Sequence, residues 1–472
     1  MLTKRLFAIV MAAFLVVMAA SNSKAQSFKG ELLSTKEAQR NGLVRSWFTQ
    51  VQLDRSRGRV KAIRHHVSAK RTVTIHEVHY GNLVRRFSSK DRDRFGERLK
   101  LAGAKKEADR FIARLKDREI KTKLVTKVVP ETTLVVTTDR AVVHAIDAHT
   151  GRTRWYIQTG LRKLLMTEPS INDDYVAVLN GSTLFMLTID EGKIAWQRRV
   201  KGVPGAGPTL SDTKAWVPTI SGTVEAYELS AHLDPPLIYS SPGRVLVPPT
   251  TSVLSVTWVT DKGYFYVGNG DKQGVRFRLE ANKSIEARST YLAPNKFVVV
   301  SLDGYVYCVH ELGANLEWRF PTGEAISEPA AVIGDRVYVV TKKRNMYVLS
   351  GKEGREIFQV TRIRRFLAAS KKRLYCVGSD TGRIVMLDAK NGAIIGHLNT
   401  EAMNVKFANY QTDRLFLGTR TGLIQCIHEV QETYPLIHVG IAEIQNARKK
   451  RLDSQQNSGK KKKPAAAATG QN

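Results

Sequence analysis

Four histidines near the N-terminus are the residues with the clearest potential for metal chemistry. They are His65, His66, His76 and His79, with Glu77 between the last two. Imidazole is a common zinc ligand, but the ligands have to converge on one point. On a strand, His65 and His66 point to opposite faces, and so do His76 and His79. We therefore expect surface or packed histidines and no metal site.

Motifs of several common enzyme classes are missing from the sequence. The glycine-rich stretch from Gly202 to Pro208 superficially resembles a phosphate-binding loop, but two prolines interrupt it. The chain has no Gly-x-Ser-x-Gly elbow, no His-Glu-x-x-His zinc motif and no Cys-x-x-Cys-His haem site. We predict that the glycine-rich stretch connects two structural units.

The cysteine content argues against a disulfide framework. Cys308, Cys376 and Cys426 are the only cysteines, an odd number, and each lies in an apolar pattern typical of a strand. Cysteines in such positions behave as small apolar residues. We predict three buried free thiols.

Any site must be positioned by a segment that recurs about every 40 residues between about residues 122 and 440. Its clearest copy, from Val142 to Trp155, is a short apolar strand, a Thr-Gly turn and a strand that carries an aromatic residue. Eight copies are aligned by the residue that opens the first of these strands: Ala141, Ser182, Gly222, Gly263, Gly304, Arg344, Gly382 and Gly422. The spacing of these residues fits a four-stranded antiparallel unit.

The aromatic position of the repeat is partly eroded. It holds Trp155, Trp196, Phe277, Trp318 and Phe358, and degrades to Pro236, Gly396 and Leu436 in the other three copies. A single four-stranded sheet cannot bury both faces, so successive sheets must stack radially until a ring closes. The prediction is an all-β chain: an eight-bladed β-propeller of four-stranded antiparallel blades, with a mixed β/α N-terminal extension.

The element from Ala145 to Trp155, Ala-x-Asp-Ala-x-Thr-Gly-x-x-x-Trp, resembles the PQQ-like (pyrroloquinoline quinone-like) β-propeller repeat. That repeat occurs in quinoprotein dehydrogenases and in the outer-membrane protein assembly factor BamB. The resemblance covers about two thirds of the chain. It implies that Trp155, Trp196 and Trp318 pack between adjacent blades.

The resemblance also raises the question of a quinone cofactor. Such dehydrogenases typically stack PQQ between a tryptophan and a disulfide of adjacent cysteines, and bind calcium through carboxylate and amide oxygens. This chain has no adjacent cysteine pair. The conceivable calcium ligands are Glu168, Asn172, Asp173, Asp174, Glu324 and Glu328. Because these residue types also serve turn chemistry, we expect no catalytic, cofactor-binding or metal-binding residues and no cofactor.

The first 25 residues have the pattern of a secretory signal peptide. Lys4 and Arg5 precede an apolar run from Leu6 to Ala20, and small polar residues end at Ala25. BamB proteins need a cysteine just after the signal for acylation, and this chain has none there. We expect an exported, periplasmic or extracellular protein that starts near Gln26 and is held at most peripherally at a membrane.

The remaining chain divides into three predicted regions. Residues 26–120 form a basic mixed β/α segment with a helical pattern from Asp91 to Ile120, and residues 121–440 form the propeller. One of the early strands could close the ring by pairing with the last blade. Residues 441–472 are lysine- and alanine-rich and are predicted to be a disordered tail.

Charge and fold together suggest binding and not catalysis. The net charge of +31 makes polyanions or an anionic membrane surface plausible neighbours of the basic termini, but no nucleic-acid-binding motif accompanies them. The leading hypothesis is a noncatalytic, BamB-like exported scaffold that binds protein partners in the cell envelope. The alternatives are a PQQ-dependent alcohol or sugar dehydrogenase and a ligand-sensing or polyanion-binding propeller. Resemblance of fold does not choose among them.

Overall fold

The strands of the protein pair into eight antiparallel sheets arranged as propeller blades. The computed structural model describes residues 31–51, 53, 58–81 and 83–460, with only the backbone of residues 454–460. Seven sheets have four strands and one has five. The buried apolar clusters join neighbouring sheets, since one cluster contains both Met186 and Val217 and another contains both Val300 and Val337. The predicted eight-bladed all-β propeller is confirmed.

The blades follow one another along the chain, each as a meander from an inner to an outer strand. Blade 1 contains β2 (Val60–Tyr80), β3 (Leu83–Ser88), β4 (Thr122–Thr138), β5 (Val142–Asp147) and β6 (Thr153–Gln158). Blade 2 contains β7 (Ser170–Ile171), β8 (Tyr175–Asn180), β9 (Thr183–Thr188) and β10 (Ile194–Arg199). Blade 3 contains β11 (Thr209–Leu210), β12 (Lys214–Pro218), β13 (Thr223–Glu228) and β14 (Leu237–Ser240). Blade 4 contains β15 (Thr250–Thr251), β16 (Ser255–Val259), β17 (Tyr264–Asn269) and β18 (Val275–Glu280).

The other four blades repeat this order. Blade 5 contains β19 (Thr290–Leu292), β20 (Lys296–Val300), β21 (Tyr305–His310) and β22 (Leu316–Pro321). Blade 6 contains β23 (Ala331–Ile333), β24 (Arg336–Val340), β25 (Met346–Ser350) and β26 (Glu356–Val360). Blade 7 contains β27 (Ile363–Ala369), β28 (Arg373–Gly378), β29 (Ile384–Asp388) and β30 (Ile394–Leu398). Blade 8 contains β31 (Val405–Phe407), β32 (Leu415–Gly418), β33 (Leu423–Glu429) and β1 (Leu43–Gln50).

The residue that aligns the eight repeats lies in the turn between the second and third strands of each blade. Gly222, Gly304 and Gly422 have φ values of +85°, +87° and +94° in this turn. Ala141 and Arg344 keep the same left-handed conformation, with φ values of +61° and +71°. A tight hairpin of this kind favours positive φ, which glycine adopts without steric cost; in blade 2 the positive φ lies one residue earlier, at Gly181. The turn therefore explains why most copies have glycine there.

The ring is closed by a strand from the N-terminal part of the chain. A short helix, α1 (Thr35–Arg40), leads into β1, which pairs antiparallel with β33 from Leu43 opposite Glu429 to Gln50 opposite Leu423. The expected closure by an early strand is confirmed. The first half of β2 is likewise the inner strand of blade 1, so the predicted boundary near residue 120 does not separate two units. Pairing between residues more than 370 positions apart leaves no local sequence signal.

An arm extends from blade 1 because β2 and β4 are much longer than the other strands. They pair from Val60 opposite Thr138 to Tyr80 opposite Thr122, with an irregularity between Val67 and Thr72. The outer half of this ribbon, with β3 and helix α2 (Lys100–Lys116), is called the arm below. The arm has its own apolar cluster, formed by Val78, Tyr80, Phe87, Ala108, Phe111, Ile112 and Leu115. The helical pattern predicted there is confirmed.

The C-terminal region contains a helix where a disordered tail was predicted. Helix α3 runs from Ile441 to Lys460. The prediction is wrong for these residues because the arginines of the helix find carboxylates on the ring, as described below. The rest of the predicted tail, residues 461–472, and the predicted signal peptide, residues 1–25, lie outside the described residues.

The two faces of the ring differ. In a four-stranded antiparallel blade, the first and third connections lie at one face, and the second connection and the link to the next blade lie at the other. The arm is the first connection of blade 1, and α3 contacts first connections of blades 2 and 3 through Arg448. We call this side the arm face and the opposite side the open face.

Candidate functional site

Tryptophans on the outer strands pack against the next blade and donate hydrogen bonds to its backbone. The indole N–H of Trp155 donates to the backbone oxygen of Ile189 (2.8 Å), and that of Trp318 donates to Gly351 (3.0 Å). The glycine of the next turn lies against each ring: a Cβ added at Gly192 would be 2.3 Å from Trp155. Packing between blades, predicted for these tryptophans, is confirmed. Trp196 is also buried, within the cluster shared by blades 2 and 3.

Trp47 is the tryptophan that the repeat alignment missed. It lies on β1, is buried, and donates its indole N–H to the backbone oxygen of Ala148 (3.0 Å) in blade 1. The repeat alignment places Leu436 at the aromatic position of the eighth copy. That assignment is wrong because the outer strand of blade 8 comes from the other end of the chain. Trp47 can be recognised as part of the repeat only when the strand that closes the ring is known.

The four N-terminal histidines do not converge. His65 is buried with its ring centroid 5.2 Å from that of Phe416, and burial lowers its pKa to about 3. His66 Nε2 lies 3.2 Å from Asp173 Oδ1, and His76 Nδ1 lies 2.9 Å from Thr126 Oγ1. Among the described residues no group of three His, Cys, Asp or Glu side chains could hold a metal ion.

Asp173 is a structural anchor in the first connection of blade 2. Its Oδ1 accepts hydrogen bonds from the Ser68 hydroxyl (2.6 Å) and the Ala69 amide (3.0 Å). Its Oδ2 accepts a hydrogen bond from Arg448 (2.9 Å). Burial alone would raise the pKa of this carboxyl, but the hydrogen bonds from His66, Ser68 and Arg448 hold it well below its usual range. The carboxylate is thus occupied by protein donors.

The other conceivable calcium ligands are each engaged with separate partners. Asn172 Oδ1 accepts hydrogen bonds from the amides of Asp174 (3.0 Å) and Tyr175 (2.7 Å), which is the turn chemistry expected of asparagine. Asp174 pairs with Lys70 at 2.7 Å. Glu324 accepts hydrogen bonds from Thr341 and Asn345. Glu168 pairs with Arg64 (2.7 Å), and Glu328 pairs with Arg365 (3.2 Å).

A channel lies between the inner strands of the ring. Its cavity has a volume of about 200 Å³, and six blades contribute lining residues: Arg64, His65, Glu168, Pro208, Pro248, Arg288 and Tyr410 among them. Pockets for drug-sized ligands typically measure about 300–1,000 Å³, so this cavity suits a smaller group. Arg64, Arg288 and Tyr410 had not been recognised from the sequence, since no motif surrounds them.

A charged cluster ties the arm to the segment that follows β33. The buried Glu77 accepts hydrogen bonds from Arg86 Nε (2.8 Å) and the Tyr434 hydroxyl (2.7 Å), and Lys127 lies 3.2 Å away. Burial would raise the pKa of Glu77, but these hydrogen bonds lower it to about 2. The carboxylate therefore stays charged and joins three segments of the chain.

Helix α3 is attached to the arm face mainly through polar contacts. Arg448 binds Asp212 with two hydrogen bonds, of 2.6 Å and 2.8 Å, while its third nitrogen binds Asp173. Gln445 Nε2 donates to the backbone oxygen of Ala69 (2.6 Å). Lys449 and Lys450 are exposed on the same helix. Binding of polyanions by this basic region stays a prediction.

The open face carries a set of exposed apolar side chains on connections of blades 1 to 3. Their exposed fractions are 66% for Leu161, 42% for Leu164, 69% for Leu165, 57% for Val203 and 45% for Ile220. The backbone joins them locally: the amide of Ile220 donates to Val203 (3.0 Å) and that of Gly181 to Leu165 (2.9 Å). We call these five residues the leucine patch.

The three cysteines carry no accessible thiol chemistry. All are free and buried, as predicted. Burial raises the pKa of Cys308 to about 12 and that of Cys426 to about 12, so the nucleophilic thiolate does not form at neutral pH.

Comparisons with known proteins agree with this architecture. A crystal structure of BamB from Moraxella catarrhalis is similar with a TM-score of 0.53 at 13% identity, over 63% of this chain and 93% of that chain. The computationally designed Ika8 protein is similar with a TM-score of 0.51 at 14% identity, over 62% and 92% of the two chains. At these identities the likeness shows the fold alone. No curated protein matches the chain.

A family model gives the more specific result. The model described as outer membrane protein assembly factor BamB matches residues 70–230 and 268–456, well over half of the chain. In the part of the chain that the structure describes, no helix is long and apolar enough to cross a membrane. On the extent of this match, the chain belongs to the PQQ-like propeller family of the outer membrane protein assembly factor BamB.

Proposed function

We propose that this protein is a noncatalytic, exported scaffold that binds protein partners in the cell envelope through the open face of its propeller. The observation that carries the proposal is the leucine patch. Exposed apolar side chains that are grouped on a surface typically mark an interaction site, because covering them removes apolar area from water. The family match supports a role in the assembly of outer membrane proteins.

The position of the patch supports the choice of face. The arm face is partly covered by α3 and the arm, which are parts of the same chain. The open face has no such cover at Leu161 and Leu165, whose exposed fractions exceed 60%. A partner can therefore reach these side chains without displacing any described segment of the chain.

The polar residues of the channel and loops favour binding over catalysis. A calcium ion at Glu168 or Asp173 would have to displace Arg64 or Arg448 from the carboxylate. The two carboxylates also lie in separate hydrogen-bond networks, one with Arg64 and one with Ser68 and Ala69. These contacts give Asp173 a structural role. They therefore favour the scaffold over a calcium-dependent dehydrogenase.

The test is partner capture by the full-length tagged protein in its native cells, with a photo-reactive crosslinker on the open face at Val203. We expect one or a few envelope proteins to be crosslinked, and the double variant L161S/L165S to lose them. Its matched control is L233S, because Leu233 is 82% exposed but lies on the arm face, between β13 and β14. Equal capture by both variants would exclude the leucine patch as the binding site. If neither the unaltered protein nor the variants capture a partner, the scaffold function is excluded.

The competing oxidase is tested on the purified protein from residue 26 onward. Calorimetric titration with PQQ and calcium, combined with dye-linked oxidation of alcohols and sugars, should give neither heat nor turnover. Tight binding with turnover would replace the scaffold by a quinoprotein dehydrogenase. Cell fractionation of the native protein and of a variant that lacks residues 1–25 tests export, with retention of the variant in the cytoplasm as the expected result.

A further inference from the structure

One position of the repeat places a residue at the channel in consecutive blades. Glu168, Pro208, Pro248, Arg288 and Glu328 follow one another at intervals of 40 residues along the chain. Four of them, Glu168 to Arg288, line the channel cavity. The charged members of this series can therefore be compared directly, since each precedes the inner strand of its own blade.

The two glutamates of the series each form an ion pair with an arginine. Arg288 forms no ion pair with a described carboxylate. Glu168 pairs with Arg64 at 2.7 Å, and Glu328 pairs with Arg365 at 3.2 Å. Among the described residues, none forms an ion pair or a hydrogen bond with Arg288. The charge of Arg64 disfavours the charged guanidinium, while Glu168 and Tyr410 favour it from a longer distance. Arg288 thus has no direct ion-pair partner of its own, because the carboxylate of Glu168 is already bound to Arg64.

The surroundings of Arg288 make this cation unfavourable as it stands. The side chain is partly buried. The charge of Arg64, together with burial, lowers the pKa of Arg288 to about 10. A guanidinium at this pKa is still charged at neutral pH, and Glu168 offsets its repulsion from Arg64 only in part. An anion beside Arg288 would offset both the repulsion and the burial, and it would share the guanidinium of Arg64 with Glu168.

We propose that the channel binds a small oxyanion, a carboxylate or phosphate group, held between Arg288 and Arg64. Guanidinium groups recognise such planar or tetrahedral oxyanions through paired N–H donors. Tyr410, which also lines the cavity, supplies a hydroxyl that can donate a further hydrogen bond. The cavity of about 200 Å³ limits the ligand to a few heavy atoms or to the terminal group of a larger molecule. This binding is independent of the leucine patch.

The test is thermal unfolding and calorimetric titration of the full-length protein in chloride buffer. Sodium phosphate or sodium malonate is added at constant ionic strength. We expect a saturable rise in Tm with at least one of the two, and the anion that gives it identifies the preferred group. In R288Q the Kd for that anion should rise at least about tenfold, as for the loss of a charge-assisted hydrogen-bonding pair. R288K should be intermediate, because lysine keeps the charge but not the paired donors.

The matched control is R355Q, which removes a guanidinium that is 83% exposed on the outside of blade 6. It should bind the anion as the unaltered protein does. In the absence of added anion, R288Q should unfold at the same Tm as the unaltered protein or at a higher one, because the repulsion with Arg64 is gone. No saturable rise with either anion, an equal rise in R288Q, or a lower Tm of anion-free R288Q would overturn the proposal.

Discussion

The two ends of the described chain are attached to the ring in different ways. Near the N-terminus, β1 is a full strand of blade 8, and its Trp47 is buried against blade 1. Near the C-terminus, α3 rests on the arm face, where Arg448 binds two aspartates on different blades. One attachment depends on apolar burial and strand pairing, the other on ion pairs at the surface.

This difference separates global from local stability. Apolar burial contributes about 1.5–3 kcal/mol for a large side chain and is little affected by salt. Partly exposed ion pairs contribute about 0–1 kcal/mol and weaken as salt is added. We therefore expect the N-terminal attachment to control unfolding of the ring, and the C-terminal attachment to control only the docking of α3.

The largest effect is expected for Trp47→Ala. Removing a buried tryptophan leaves a cavity between blades 8 and 1 and costs about 3–5 kcal/mol of the free energy of unfolding. Urea denaturation measures this loss, and hydrogen exchange of the β1 amides shows whether the closure opens first. Phe48→Ala is the matched control, because the next residue of the same strand is 53% exposed. Equal losses in the two variants would contradict the closure role of Trp47.

A smaller but substantial effect is expected for Gly151→Ala. Gly151 has a φ of +71°, and an added Cβ would lie 2.5 Å from the Trp47 ring. The combined strain and overpacking should cost roughly 2–3 kcal/mol in denaturation experiments. Gly323→Ala separates the two causes, since Gly323 has a similar φ of +67° but nothing within 4 Å of the added atom. If both variants lose the same stability, the contact with Trp47 contributes nothing.

Acid should weaken the contact between blades 1 and 8 through His65, which lies on β2 and packs on Phe416 of β32. Burial, with the charges of His66 and His149, lowers the pKa of His65 from 6.5 to about 3. Below about pH 6.5 His65 binds a proton in the unfolded chain, whereas in the folded protein it stays neutral down to about pH 3. The free energy of unfolding is therefore highest above pH 6.5 and falls as the pH is lowered. Between about pH 7 and about pH 5 this single group removes about 2 kcal/mol.

The measurement is the free energy of unfolding at both pH values for the unaltered protein and for His65→Phe. Phenylalanine fills the site beside Phe416 without a titrating group, so the variant should lose less stability on acidification. The control is His397→Gln, on an exposed position of blade 7, which should follow the unaltered protein. An unchanged pH dependence in His65→Phe would show that other groups govern acid unfolding.

The smallest effect on global stability is expected for Arg448→Met. Asp173 keeps its hydrogen bonds from Ser68 and Ala69, and Asp212 is partly exposed to water, so the free energy of unfolding should change by about 1 kcal/mol or less. Locally, hydrogen exchange across residues 441–453 should accelerate about tenfold or more, because the helix loses its main anchor. Salt at about 1 M, where the Debye length is about 3 Å, should act in the same direction.

Lys449→Met is the control for this last prediction. Lys449 is the next residue of α3 and is exposed, so its loss changes the net charge equally without removing a contact to the ring. Its hydrogen exchange should match that of the unaltered protein. Similar acceleration in both variants would show that helix propensity, and not the Arg448 contacts, holds α3 in place.

Local patterns in the sequence were sufficient for the blade architecture. Two features recur at a fixed spacing: the positive-φ glycines of the hairpins, such as Gly222, and the tryptophans of the outer strands, such as Trp155. They recur because each blade has the same hairpins and the same contacts with its neighbour. The fold class, the number of blades and the buried thiols followed from these repeats. The helix of the arm followed from its own apolar period.

The candidate sites depended on contacts between distant segments and were much less predictable. Glu168 and Asp173 were recognised as acidic loop residues, but their partners Arg64 and Arg448 lie 104 and 275 positions away in the chain. The helix α3 was missed for the same reason, since Arg448 is one of several basic residues in a polar segment until Asp173 and Asp212 are placed beside it.

The sequence by itself determined the repeated unit, because hairpin turns and strand periodicity are set by residues close to one another in the chain. Only the tertiary structure decided which strand closes the ring, that Trp47 fills the aromatic position of the eighth blade, and that Arg288 has no direct ion-pair partner. These features depend on which side chains are in contact across the ring. Such contacts form only when all eight blades close together, and no single segment of the sequence encodes them.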